Sequence, residues 1–106
     1  MNSHHLHRLH RSLLLGLSLA AAYTQVQAQV GQQGRLLASN CFQCHGTNGR
    51  GPGFERLAGQ SSGKIYEELK ELQSGKEGNG LMARHAMGYS DTQLRAIANW
   101  FAAQPR

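Results

Sequence analysis

The sequence predicts an all-helical domain with one small core, folded around a bulky group that the chain does not itself provide. Three observations point there. Apolar residues recur at helical spacing in three segments, and no stretch alternates as a strand would. Two glycine-built loops, 46–63 and 76–89, separate those segments, and loops that long need something to organise them. Both cysteines of the chain stand three apart, with a histidine directly after the second.

The size sets the limits. With 106 residues there is room for one small domain. Charged residues are 16% and apolar residues 40%, which excludes a disordered polyelectrolyte. Two cysteines exclude a disulfide-dense scaffold. No apolar run reaches the ~20 residues that a membrane-crossing helix needs.

The first segment reads as a leader, outside the fold. Residues 1–11 are polar and basic, with Arg8, Arg11 and four histidines, His4, His5, His7 and His10. Ser12 to Ala22 is apolar but short, and Val26-Gln27-Ala28 follows. A basic start, a brief apolar centre and a small residue before the cleavage point describe a secretory signal peptide, residues 1–28, ahead of a domain at 29–106. A short membrane anchor is the competing reading. Cleavage after Ala28 removes two arginines and no acid, lowering the net charge of +5 by two. The four histidines leave with the leader, so no function is assigned to them.

Three helices are expected in the domain. The first runs from about Gly31 to Cys44, with Leu36, Leu37 and Ala38 on its apolar side. The second runs from about Lys64 to Ser74, where Ile65, Leu69 and Leu72 share a face. Ser61 or Ser62 can cap its start, and Gly75 suits its C-terminal turn. The third runs from about Ser90 to Gln104. Ser90 and Gln93 form a capping box, Leu94, Ile97, Ala98 and Phe101 make the apolar stripe, and Pro105 ends it.

The chemistry-bearing motif is Cys41-Phe-Gln-Cys44-His45, the spacing by which c-type haem is attached. Each thiol adds to one porphyrin vinyl group, and the next residue, His45, falls beneath the iron. Other readings compete. A thioredoxin-type redox pair sits where a strand meets a helix, and no strand precedes Cys41. Structural zinc wants four ligands, and beyond the leader the chain has two Cys and two His, His45 and His85. A plain disulfide leaves His45 without a role. Haem fits best, because it also fills the centre of a domain short of core.

These residues carry a resemblance. From Gln33 to Ala103 the chain resembles a bacterial class I cytochrome c. The matching pieces are Cys41-Phe-Gln-Cys44-His45-Gly46, Leu57-Ala58-Gly59-Gln60, the Met-bearing loop ending Gly88-Tyr89-Ser90-Asp91, and Ile97-Ala98-Asn99-Trp100-Phe101. Within the class, the loop from Met82 to Asp91 is most similar to the haem subunit of flavocytochrome c sulfide dehydrogenase. Cytochrome c4 and c553 shuttles have a related loop.

The resemblance implies a small class I cytochrome c fold, with three main helices and long loops around one covalently bound haem c. Cys41 and Cys44 would hold the haem, with His45 as proximal iron ligand. Met82, His85 and Met87 compete for the distal place. The family's M-x-x-x-A pattern favours Met82, with Met87 second and His85 third. His/Met ligation raises the reduction potential. A ligating His donates its other N–H to a carbonyl. The family usually offers that carbonyl from a proline, where this chain has Glu55; Glu55 or Phe54 can present it instead. Gly34 and Trp100 stand where the terminal helices should cross.

The implied function is single-electron transfer in the periplasm, without catalytic residues of its own. As a sulfide dehydrogenase subunit, the chain would take electrons from a separate sulfide-oxidising flavoprotein. A free shuttle to a terminal oxidase is the alternative in the same class, and an exported CxxC thiol–disulfide protein is the alternative outside it. Lys64, Lys70, Lys76, Arg84 and Arg95 are spread along the later half and could steer an acidic partner. They do not cluster, which argues against nucleic acid.

Overall fold

Helix α1 covers Ser3–Ala38, reaching the threshold of the cysteine motif. The computed structural model describes residues 3–106, with side chains from residue 19 onward. The basic start and most of the apolar centre of the expected leader, including its four histidines, lie outside the described side chains. The chain divides into two units, residues 1–30 and residues 31–106. In the first, Leu19, Tyr23, Val26 and Val30 lie exposed along α1. Among the described residues, no helix is long and apolar enough to cross a membrane.

The second unit holds the predicted helices and one more. After α1 come a 3₁₀ turn at Ser39–Cys41 and the short helix α2, Phe42–His45. Then follow α3 (Ser62–Ser74), α4 (Leu81–Met87) and α5 (Asp91–Ala102). Among the described residues there is no strand.

Two differences from the sequence reading have local causes. The first helix does not run unbroken to Cys44. The Ser39 hydroxyl turns back onto the Leu36 carbonyl, and Asn40 sends its amide across to the Tyr89 hydroxyl. The Ser39 hydroxyl bonds back into the last turn of α1 and Asn40 is drawn to a distant partner, and the backbone tightens there. The second difference is α4, inside what reads as a glycine loop. Its seven residues lie between Gly80 and Gly88. A helix that short is not stable alone. Ala83 and Ala86, one turn apart and each 1% exposed, are buried along it.

Of the expected caps, the Ser90–Gln93 box is present in both directions, at 3.2 and 2.8 Å. Gly75 closes α3 in the left-handed region. Ser61 occupies the N-cap of α3 but its side chain makes no capping bond.

The core is Ala38, Ile65, Leu69, Leu94, Ile97, Ala98 and Phe101. Among the described residues, Phe101 and Leu94 are the largest side chains buried completely. Phe42, Trp100 and Phe101 form an aromatic cluster with centroids 5.3 to 6.2 Å apart. The α1–α5 crossing needs Gly34, since a Cβ there would lie 2.9 Å from the Trp100 Cβ and 3.0 Å from the Ala96 carbonyl oxygen. On the surface, α3 and α5 are tied by Asp91, which accepts from Tyr66, Arg95 and Lys70. The Tyr66 hydroxyl holds the Asp91 carboxyl below its usual range, helped by Arg95 and Lys70.

Candidate functional site

The site is built where the chain turns sharply after α2. Gly46 follows His45 at φ +77, and a Cβ there would collide with the Gly51 carbonyl. Only glycine allows that reversal. The loop that follows is then laced back: Gly51 N–H donates to the His45 carbonyl (2.7 Å), and Phe54 N–H to the Cys44 carbonyl (3.3 Å). This delivers the Glu55 carbonyl to the His45 ring, 2.7 Å from Nδ1. Of the two carbonyls the sequence offered, the structure uses Glu55.

That bond fixes the chemistry of the ring. A carbonyl can only accept, so Nδ1 donates a proton to it, and in the neutral ring Nε2 is then the nitrogen with the lone pair. His45 is 9% exposed, with the exposed Phe54 ring beside it at 6.1 Å. A buried imidazole with one nitrogen satisfied and the other basic is the form that ligates a metal.

Two cavities of 460 and 160 Å³ meet at this point, and Cys41, His45, Glu55 and Met82 line both. The larger also touches Cys44, Phe54, Leu81, His85 and Tyr89. The smaller runs inward past Ile65, Leu69, Ile97 and Phe101. The cleft is therefore mainly apolar, with two thiols, the imidazoles of His45 and His85 and one thioether on its walls. Met82 is half-buried. His85 is one turn further along α4, exposed, at the edge of the larger cavity. Met87 is 50% exposed and lines neither cavity.

The thiols also speak to the rival chemistry. Both cysteines are free and half-buried. Burial, with Cys44 nearby, pushes the Cys41 thiol up to about 11. A thiol–disulfide exchanger needs an attacking thiolate, which an electropositive setting provides by lowering the pKa. Cys41 has the opposite environment. Among the described residues, no three His, Cys, Asp or Glu side chains come together as a zinc site would require.

These features fit a haem. The planar, apolar group needs a slot of this character, with two thiols at one wall and a basic nitrogen facing in. The cytochrome c family model matches residues 31–104, from the end of α1 past the end of α5. The chain belongs to the cytochrome c family. Its cofactor is covalently bound haem c, and its chemistry is that of a c-type electron carrier.

Relatives of this cytochrome include cytochromes named for dehydrogenases and a cytochrome c4. The chain is 30% identical to the cytochrome subunit of sulfide dehydrogenase from Chlorobaculum tepidum, over 76% of its own length and 74% of that protein's. It is 39% identical to the thiosulfate dehydrogenase electron acceptor of Thiomonas intermedia, over 61% of its length but only 32% of that protein's. A solved cytochrome c4 from Acidithiobacillus ferrooxidans superposes with a TM-score of 0.64 at 28% identity, covering 70% of this chain and 49% of that one. The chain thus spans about a third to a half of the latter two proteins.

Several site features escape the sequence. Phe54 and Leu81 as cleft walls leave no pattern there. Nor do the bonds by which Gln73 and Tyr89 anchor α4. The one available signal is the spacing of Met82, Ala83 and Ala86, which is helical but confined to two turns.

Proposed function

We propose that this cytochrome is exported to the periplasm, with cleavage after Ala28. There it accepts single electrons as the haem subunit of a sulfide-oxidising flavoprotein. The observation that carries the site assignment is the shared cleft: Cys41, His45 and Met82 line both cavities, with Cys44 on the larger. Haem supplies a centre that cycles between ferric and ferrous iron. Cys41 and Cys44 would hold it, each S–H adding across one vinyl group to give a thioether with no net oxidation. His45 would offer Nε2 to the iron, while the Glu55 carbonyl holds the ring. Met82 would offer its thioether sulfur as the further iron ligand. The buried Leu69 and Phe101 exclude water and keep the dielectric low, which favours the reduced state.

The donor is argued from length as well as likeness. The sulfide dehydrogenase subunit is matched over most of both chains. A second reading, electron acceptor of a thiosulfate dehydrogenase, is favoured by the 39% identity over 70 residues. Stopped-flow mixing of the ferric protein with each dehydrogenase and its substrate separates them. Reduction within milliseconds by the flavoprotein and sulfide supports the proposal. Fast reduction by the thiosulfate enzyme alone replaces it with the second reading.

A further inference from the structure

The helix that carries Met82 cannot hold its own position. It has seven residues, glycine on both sides, and no side-chain cap. Its place is set from outside, by the packing of Met82, Ala83 and Ala86 and by the hydrogen bonds of one side chain. Gln73, half-buried near the end of α3, donates one amide N–H to the Ala86 carbonyl (3.1 Å) and the other to the Tyr89 carbonyl (2.8 Å). Its own oxygen accepts from Lys70 Nζ at 2.7 Å. Both N–H donors of the amide are therefore used, and its acceptor is engaged from the same helix. Tyr89 extends the tie. Its hydroxyl donates to the Leu37 carbonyl (3.1 Å) and accepts from the Asn40 amide (2.8 Å), immediately before Cys41. The end of α4 is so bound on one side to α3 and on the other to the turn that leads into the cysteine motif.

We infer that Gln73, assisted by the Tyr89 hydroxyl, is the positioning residue of the distal side: it fixes α4 between α3 and the attachment turn and so holds the Met82 sulfur in the cleft. This rests on the reading of Met82 as the sixth ligand. Gln73 itself lines neither cavity and so acts through α4. A half-buried amide gives a firm clamp, because releasing it leaves its donors to be resolvated and takes a hydrogen bond from the Tyr89 carbonyl, while the Ala86 carbonyl falls back on the Tyr89 N–H. When the clamp opens, α4 keeps the packing of Met82, Ala83 and Ala86 but loses its polar tie, and the sulfur is held less of the time.

The test uses the ferric holoprotein and cyanide, which enters only where the distal sulfur has left. Gln73→Met keeps the shape and removes both donors. Tyr89→Phe removes one hydroxyl and is the milder change. Gln73→Met should bind cyanide about tenfold faster, the factor expected for two lost hydrogen bonds of ordinary net strength. Tyr89→Phe should bind it a few-fold faster. In both, the weak sulfur-to-iron band near ~695 nm should fade at a lower temperature than helicity does. In a Met82→Ala background, which should already be fast and lack the band, adding Gln73→Met should change nothing further. Unchanged cyanide rates in both single variants overturn the inference. So does joint loss of band and helicity at one lowered temperature, which would make Gln73 a general stabiliser. If Met82→Ala itself keeps the band and the wild-type cyanide rate, the ligand reading fails and takes this inference with it.

Discussion

Cys41 and Met82 are the two residues on which the chemistry of the cleft can be read most directly. Burial raises the Cys41 thiol from 9.0 to about 11, with the charge of Cys44 adding to it. The sign follows from proton counting. Between those values the unfolded chain has lost the proton that the folded chain still holds. The haem-free protein should therefore lose stability as pH rises from 9 to 11, by at most about 3 kcal/mol. Urea titrations at pH 8 and pH 10.5 measure it, and Cys41→Ser should remove the trend. In the holoprotein the thiol is consumed and the same trend should be absent. For the distal place, Met82→Ala should abolish the ~695 nm band and lower the potential, since a harder ligand such as water favours ferric iron. Met87→Ala should keep the band, because Met87 is half exposed and outside the cleft. Loss of the band in Met87→Ala alone would reverse the assignment.

At the scale of elements, the helices that were legible in the sequence are those with long apolar stripes and their own caps. Helix α5 is the clearest: Leu94, Ile97, Ala98 and Phe101 are all buried, and its capping box forms as the Ser90 and Gln93 spacing implies. Ser90→Ala should cost about 1 kcal/mol, read as a lowered thermal midpoint. Gly34 was legible as a crossing point because nothing larger suits a close helix contact. Gly34→Ala should cost about 1–3 kcal/mol despite alanine's better helix propensity, since Trp100 Cβ and the Ala96 carbonyl oxygen must move. A variant as stable as wild type would show that the crossing is looser than these distances imply. Helix α4 was not legible. Its sequence shows two turns between glycines, and what holds it, Gln73 and Tyr89, comes from elsewhere in the chain. Local pattern cannot report a helix whose stability is tertiary. The break in α1 was hidden for a related reason, since Asn40 is engaged by a residue 49 positions away.

At the scale of the molecule, the domain is a thin shell of helices around a cleft. Seven residues make the core, two of them alanine. That is little apolar burial for a domain of this size, and small domains need a staple. The cofactor's presence was legible because a single motif uses both cysteines and the adjacent histidine. The carbonyl that orients that histidine was legible only as Glu55 or Phe54, because the acceptor is backbone and neither side chain marks it; the fold uses Glu55. The most direct measurement is the intact mass, under denaturing conditions, of protein matured in a haem-competent periplasm. The account expects the mass of the chain from Gln29 plus one haem, with no thiol left to alkylate and the haem retained on the Cys41–Cys44 peptide after proteolysis. A haem-free mass with two alkylatable cysteines would contradict it.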